Sequence, residues 1–110
     1  MDIKNNYKVV FTETAEIELD GIYDYISKTL LSENSAKKLM EKIEEKTLRL
    51  EILPESCSIA DGYKINDIQY RKLIVDNYIL LYHIDETKKQ VNIIHVLYGR
   101  RNYLKDIEIH

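Results

Sequence analysis

The chain has 110 residues, of which 45% are apolar and 32% charged, and it carries a net charge of −3. Those values describe one folded globular domain spanning 1–110 and exclude a disordered chain, while the single cysteine, Cys57, excludes an internal disulfide and a cysteine-built zinc site. No run reaches the roughly 18 apolar residues that span a bilayer, and the polar opening "MDIKNNYK" does not read as a signal peptide, so no membrane partner and a cytoplasmic location are expected.

"YKVVF" at Tyr7–Phe11 reads as a first strand. Thr12 then offers an N-cap, with Glu13 and Glu16 in the first turn, where the helix dipole favours acid. Ala15, Leu19, Ile22, Ile26 and Leu30 recur at helical spacing, and Gly21 inside that stripe is a modest cost rather than a stop. "SENS" at Ser32–Ser35 ends this helix and caps a second, whose stripe is Ala36, Leu39, Met40, Ile43, Thr47 and Leu50 before Pro54 closes it. The short polar link predicts an antiparallel helical hairpin. Its remaining faces, rich in Glu and Lys, read as solvated surface.

Glu55–Gln69, with "ADGYKIND", reads as a loop or irregular crossing. Three strands are predicted after it: Tyr70–Val75, Tyr78–Ile84 and Gln90–Tyr98. They are joined by a tight Asp76–Asn77 turn and a longer turn over Asp85–Lys89. "NYLKDIEIH" closes the chain as a short helix or a tail. The order β-α-α-β-β-β predicts an α+β fold, an antiparallel sheet packed on one face by the N-terminal helical hairpin. Leu80 and Tyr82 alternate with Ile79 and Leu81 in the middle strand, so both sheet faces need cover and the hairpin supplies only one.

Charge is divided along the chain. Glu13–Leu53 holds ten acidic and six basic residues, whereas Tyr63–Lys105 holds four acidic and eight basic ones. The densest positive charge falls in "VLYGRRNY" at Val96–Tyr103, where Gly99 lets a strand turn and Arg100 and Arg101 stand between tyrosines. Tyr and Arg are the residue types that anchor protein interfaces, and the nine tyrosines of the chain pack a ring while keeping a polar tip. His83 and His95 read as packed or hydrogen-bonded strand histidines, and His110 is terminal. No histidine and carboxylate pair has metal-ligating spacing, so neither metal nor other cofactor is expected.

The stretch "YRKLIVDNYILLYHIDETKKQVNIIHVLYGRRNY", taken with "YKVVF" and the paired helices, resembles the RelE/ParE superfamily of bacterial type II toxins, which serve plasmid stabilisation, over nearly the whole chain. The resemblance implies a growth-inhibiting toxin with a cognate antitoxin laid over its surface, which would supply the missing cover. The apolar second sheet face would also allow homodimerisation when the antitoxin is absent. Two modes of action follow from the family. One branch, RelE-like, is a ribosome-dependent mRNA endoribonuclease, an mRNA interferase; the other, ParE-like, is no nuclease and poisons DNA gyrase.

For the nuclease, Lys72 and Arg71 would converge with Arg101, and Tyr103 or Tyr98 would stack a base or donate a proton; the resemblance itself implies Lys72 and Arg101, and the catalytic set is Lys72, Arg101 and Tyr103. Yet Ile79 stands where those members carry an arginine, Tyr70 where they carry a second lysine, and Ile107 where their late tyrosine falls. An acidic protein is also poorly suited to docking on ribosomal RNA, where phosphate contacts supply much of the affinity. The ending "VLYGRR" is closer to the ParE-like pattern, although Tyr98 replaces a common histidine. The expected activity is therefore gyrase inhibition, with Tyr70, Arg71, Lys72, Tyr98, Arg100, Arg101 and Tyr103 as target-binding residues. Arg71 has a second reading, as the partner of an acid such as Asp61 or Asp67.

Overall fold

The computed structural model describes residues 6–99, the side chains of 61–65 excepted. Lys8–Phe11 forms β1, whose branched and aromatic residues suit a pleated, half-buried surface. Thr12 leaves the strand, and its Oγ1 accepts the Ala15 N–H at 3.2 Å, capping α1 over Glu13–Asp24. The helix carries on past Asp24 as a π-wound turn, Tyr25–Thr29. Because that winding takes more residues per turn than an α-helix, the apolar stripe loses phase there. Ala15, Leu19, Ile22 and Ile26 pack inward as expected, whereas Leu30 is 55% exposed.

Leu31 takes a left-handed backbone, φ 54°, to turn the chain into α2, Glu33–Leu48. Ser32 does not cap with its hydroxyl, which donates instead to Ser35 Oγ at 2.6 Å. The second stripe is as predicted: Ala36, Leu39, Ile43 and Thr47 are buried, and Leu50 joins them from a 3-10 turn over Arg49–Glu51.

The segment after Pro54 departs from expectation. Ser58–Ile65 is a strand, β2, and a two-residue turn at Asn66 and Asp67 returns the chain into β3, Ile68–Val75. Both turn residues have positive φ, 52° and 62°, the conformation whose twist matches a hairpin and which Asn and Asp tolerate. Asp61 and Gly62 weaken the strand signal, and the β2–β3 register shifts between Ile59 and Lys64, so no clean alternation marks this strand. Asp76 at φ 54° makes the next turn, into β4, Tyr78–Asp85. Lys89 at φ 52°, with the Asp85 carboxylate accepting the Lys88 N–H at 3.1 Å, leads into β5, Gln90–Tyr98.

The five strands form one sheet in the order β1-β5-β4-β3-β2. The pairs within β2–β5 are antiparallel, as predicted, while β1 lies parallel to β5, with Val9 opposite Val91. The fold is α+β. On one face Leu73, Val75, Leu80, Tyr82, Val91, Ile93 and Val96 meet Ala15, Leu39, Ile43 and Leu50 of the helical segments. On the other, Ala60, Tyr70, Ile79 and Leu81 form a second buried cluster. Both faces of β4 are therefore buried, as its unbroken apolar run requires. Among the described residues no helix is long and apolar enough to cross a membrane. The predicted C-terminal helix or tail, and Arg100, Arg101 and Tyr103, lie outside the described residues.

Candidate functional site

The end of β5 forms one side of an apolar groove of about 850 Å³. Ile22, Tyr25, Ile26, Leu30 and Leu39 line it from the helices, and Tyr78, Val96, Leu97 and Tyr98 from the sheet. Among the described residues its charged lining consists of Glu18 and Asp76. Tyr98 is 64% exposed, and its ring meets that of Tyr78 edge-on at 5.2 Å between centroids. Burial raises the Tyr78 phenol above its ordinary value of 10.0, with smaller contributions from Tyr98, Asp76 and Tyr25, so it is neutral near pH 7. Tyr25 and Leu30, on and beside the π-wound turn, are each 55% exposed. Large apolar and aromatic groups left open around one concavity mark a surface that binds something.

Backbone geometry fixes how the strand leaves this groove. The Gly99 N–H donates to Asn77 O at 2.9 Å, and Gly99 has φ 92°, a conformation that side chains with a Cβ rarely adopt. The strand therefore turns at Gly99, as its sequence position suggested. On the outer edge of β5, Glu18 of α1 accepts the Val96 N–H through Oε1 at 2.8 Å and sits 3.2 Å from His95 Nδ1. His95 is thus a hydrogen-bonded strand histidine.

Residues 9–103 match the family model described as the ParE toxin of type II toxin-antitoxin system, parDE. The chain belongs to the ParE toxin family. This toxin resembles a chain of the chromosomal ParDE system of P. aeruginosa at 17% identity and TM-score 0.70, over 88% of this chain and 100% of that one. The archaeal RelE–RelB complex of Pyrococcus horikoshii OT3 aligns at 15% identity and TM-score 0.61, covering 87% and 98%. The RelBE2 toxin–antitoxin complex of Mycobacterium tuberculosis aligns at 22% and 0.55, covering 84% and 98%. At such identities these likenesses concern the fold. No curated relative matches the toxin by sequence.

Of the target-binding residues expected from sequence, the four among the described residues do not form one cluster. Val75, Tyr78 and Tyr98 lie opposite one another across β3, β4 and β5. Tyr70 stands five positions back along β3, about 17 Å at the usual strand rise, and faces the second cluster with Lys72 two residues on. Tyr98 faces the helices, alongside Tyr78. The sheet itself therefore separates Tyr98 from Tyr70 and Lys72.

Tyr70 is buried and meets His83 edge-on at 5.4 Å. Burial lowers the His83 proton affinity, partly offset by Asp85, so that ring is neutral at pH 7. Arg71 turns toward the chain before β2: its Nη1 donates to Cys57 O at 2.7 Å and to Glu55 O at 3.3 Å. Backbone carbonyls are therefore partners of this guanidinium, and the Asp61 side chain, one of the acids that sequence suggested, lies outside the described residues. The groove, Tyr25, Tyr78 and Glu18 were missed in the sequence. The helical lining of the groove was visible only as apolar residues at helical spacing, which also fits plain core, and Glu18 only as one of many helix carboxylates.

Proposed function

We propose that this toxin inhibits DNA gyrase by binding it as a protein target through the end of β5, using Tyr98 and the Arg100–Arg101 pair that follows Gly99. A cognate antitoxin would hold it in check. The carrying observation is the character of the surface beside Tyr98. The groove there is apolar and tyrosine-rich, and among the described residues its charged lining is Glu18 and Asp76. Such an aromatic, largely apolar concavity suits a protein partner, whose interface buries aromatic anchors. The match to a ParE family model supports the ParE-like reading, and the toxin–antitoxin complexes among its structural neighbours support a cognate antitoxin.

A specific observation favours the RelE-like alternative, ribosome-dependent mRNA cleavage. Lys72, Tyr70 and a neutral His83 share the second sheet face, and such groups can move protons and steady a phosphorane. The two readings separate in one experiment. Purified toxin is titrated into a gyrase supercoiling assay and, separately, into translating ribosomes charged with a defined mRNA. Loss of supercoiling or accumulation of cleaved DNA, with intact mRNA, supports the proposal; mRNA cuts within codons, with gyrase unaffected, overturn it. Copurification of the toxin with the product of an adjacent short reading frame tests the antitoxin.

A further inference from the structure

We propose that Glu18 is a positioning residue: its carboxylate replaces a missing strand along the outer edge of β5 and thereby aims the target-binding end of that strand. β1 stops at Phe11, opposite Ile93, but β5 continues to Tyr98. Beyond Ile93 the outer edge of β5 has outrun its strand partner, and α1 takes over. Thr12 Oγ1 donates to Ile94 O at 3.4 Å, a weak contact, and Glu18 Oε1 accepts the Val96 N–H at 2.8 Å, a strong one. A hydrogen bond to an ionised acceptor is roughly twice as strong as a neutral one. The Glu18 side chain is only 27% exposed, so solvent screens this bond less than it would a surface pair.

The location gives that bond leverage. The β4–β5 register shifts here: Leu81 pairs with His95 while Tyr82 pairs with Ile93, so β5 carries an extra residue. Such a bulge bends and twists the strand that contains it. Glu18 contacts both His95 at the bulge and Val96 just past it. From there to Gly99 are three residues, held on the inner edge by the Gly99–Asn77 bond and on the helix-facing side by the Tyr78 ring. With Glu18 in place the strand end is fixed on both edges; without it, the segment that presents Tyr98 hangs from β4 alone. This assignment rests on the end of β5 being the target-binding element.

The test uses the full chain with Glu18→Gln, Glu18→Ala and, as a stability-matched control, Ile43→Val. Amide exchange is followed together with growth arrest at equal soluble toxin levels. Glutamine keeps an oxygen for the Val96 N–H and an amide for His95, so E18Q should retain exchange and toxicity within about threefold of the parent. E18A should speed exchange at Val96, Leu97 and Gly99 at least tenfold, with Leu80 and Tyr82 unchanged, and weaken toxicity at least tenfold. I43V should leave toxicity intact. Unchanged exchange at the strand end in E18A, or an E18Q as impaired as E18A, overturns the proposal. Full toxicity after Arg100→Ala and Arg101→Ala together refutes the target-binding reading of the strand end, and exchange in E18A then decides the role of Glu18 in fixing that strand.

Discussion

Tyr82 and Pro54 join the middle of the sheet to the chain leaving the helices: the Tyr82 hydroxyl donates to Pro54 O at 2.7 Å. Tyr82 is fully buried, and burial pushes its phenol far above the ordinary value of 10.0, so it serves as a neutral donor. Replacing it with phenylalanine keeps the ring but leaves a buried carbonyl without its donor. The expected loss for Tyr82→Phe is about 1–3 kcal/mol. Urea unfolding followed by circular dichroism measures it, and a midpoint equal to the parent's would mean that water satisfies Pro54.

Arg71 offers a contrast between stability and function. Its guanidinium is engaged with Cys57 O and Glu55 O, and it lies away from Tyr98. Arg71→Ala is expected to lower stability by about 1–2 kcal/mol, chiefly the cost of stripping the donor from the part-buried Cys57 carbonyl. Per folded molecule, gyrase inhibition should be unchanged. A variant as stable as the parent but inactive would show that Arg71 meets the target.

Tyr98 should behave in the opposite way. At 64% exposure it adds little to the core. An interface aromatic of this kind commonly carries about 2 kcal/mol or more of binding, roughly thirtyfold in affinity. Tyr98→Ala should therefore weaken gyrase inhibition by about that factor, while the unfolding midpoint shifts little. Dose–response curves and urea titrations of the same preparations separate the two effects.

His83 makes stability depend on pH in a defined window. Burial beside Tyr70 lowers its folded-state value below the ordinary 6.5, and Asp85 offsets part of the shift. As pH falls through 6.5 the unfolded chain takes up the proton first, which draws the equilibrium toward unfolding. The His83 contribution is whole above that pH and is lost progressively below it, until the folded form is protonated too. Urea midpoints between pH 7.5 and about 5 should fall more steeply for the parent than for His83→Asn. Parallel slopes would mean that His83 is already solvated in the folded state.

Much of the fold was legible because its signals are local. Ala36, Leu39, Ile43 and Thr47 fall every three or four residues, and any helix containing them must bury that stripe. The unbroken apolar run of β4 required cover on both faces, and residues on both are buried, with the helices packed on one of them. Gly99 was legible as a turn because φ 92° suits glycine. The second strand was not, since Asp61 and Gly62 interrupt its pattern and only pairing with β3 stabilises it. The proposed site divides in the same way. Tyr98 stood out beside the arginine pair, whereas grouping it with Tyr70 and Lys72 overlooked the alternation of faces that puts the sheet between them.

The sequence by itself determined the two helices, the three hairpin strands and a chemically distinctive strand ending, because each is set by residues within a few positions of one another. Only the tertiary structure decided that β1 lies parallel to β5, that Arg71 braces the segment before β2, and that Glu18 closes the open edge at Val96. The Glu18 bond joins residues 78 positions apart. Such a contact leaves no local periodicity, because its partners become neighbours only after the chain has closed around a common core.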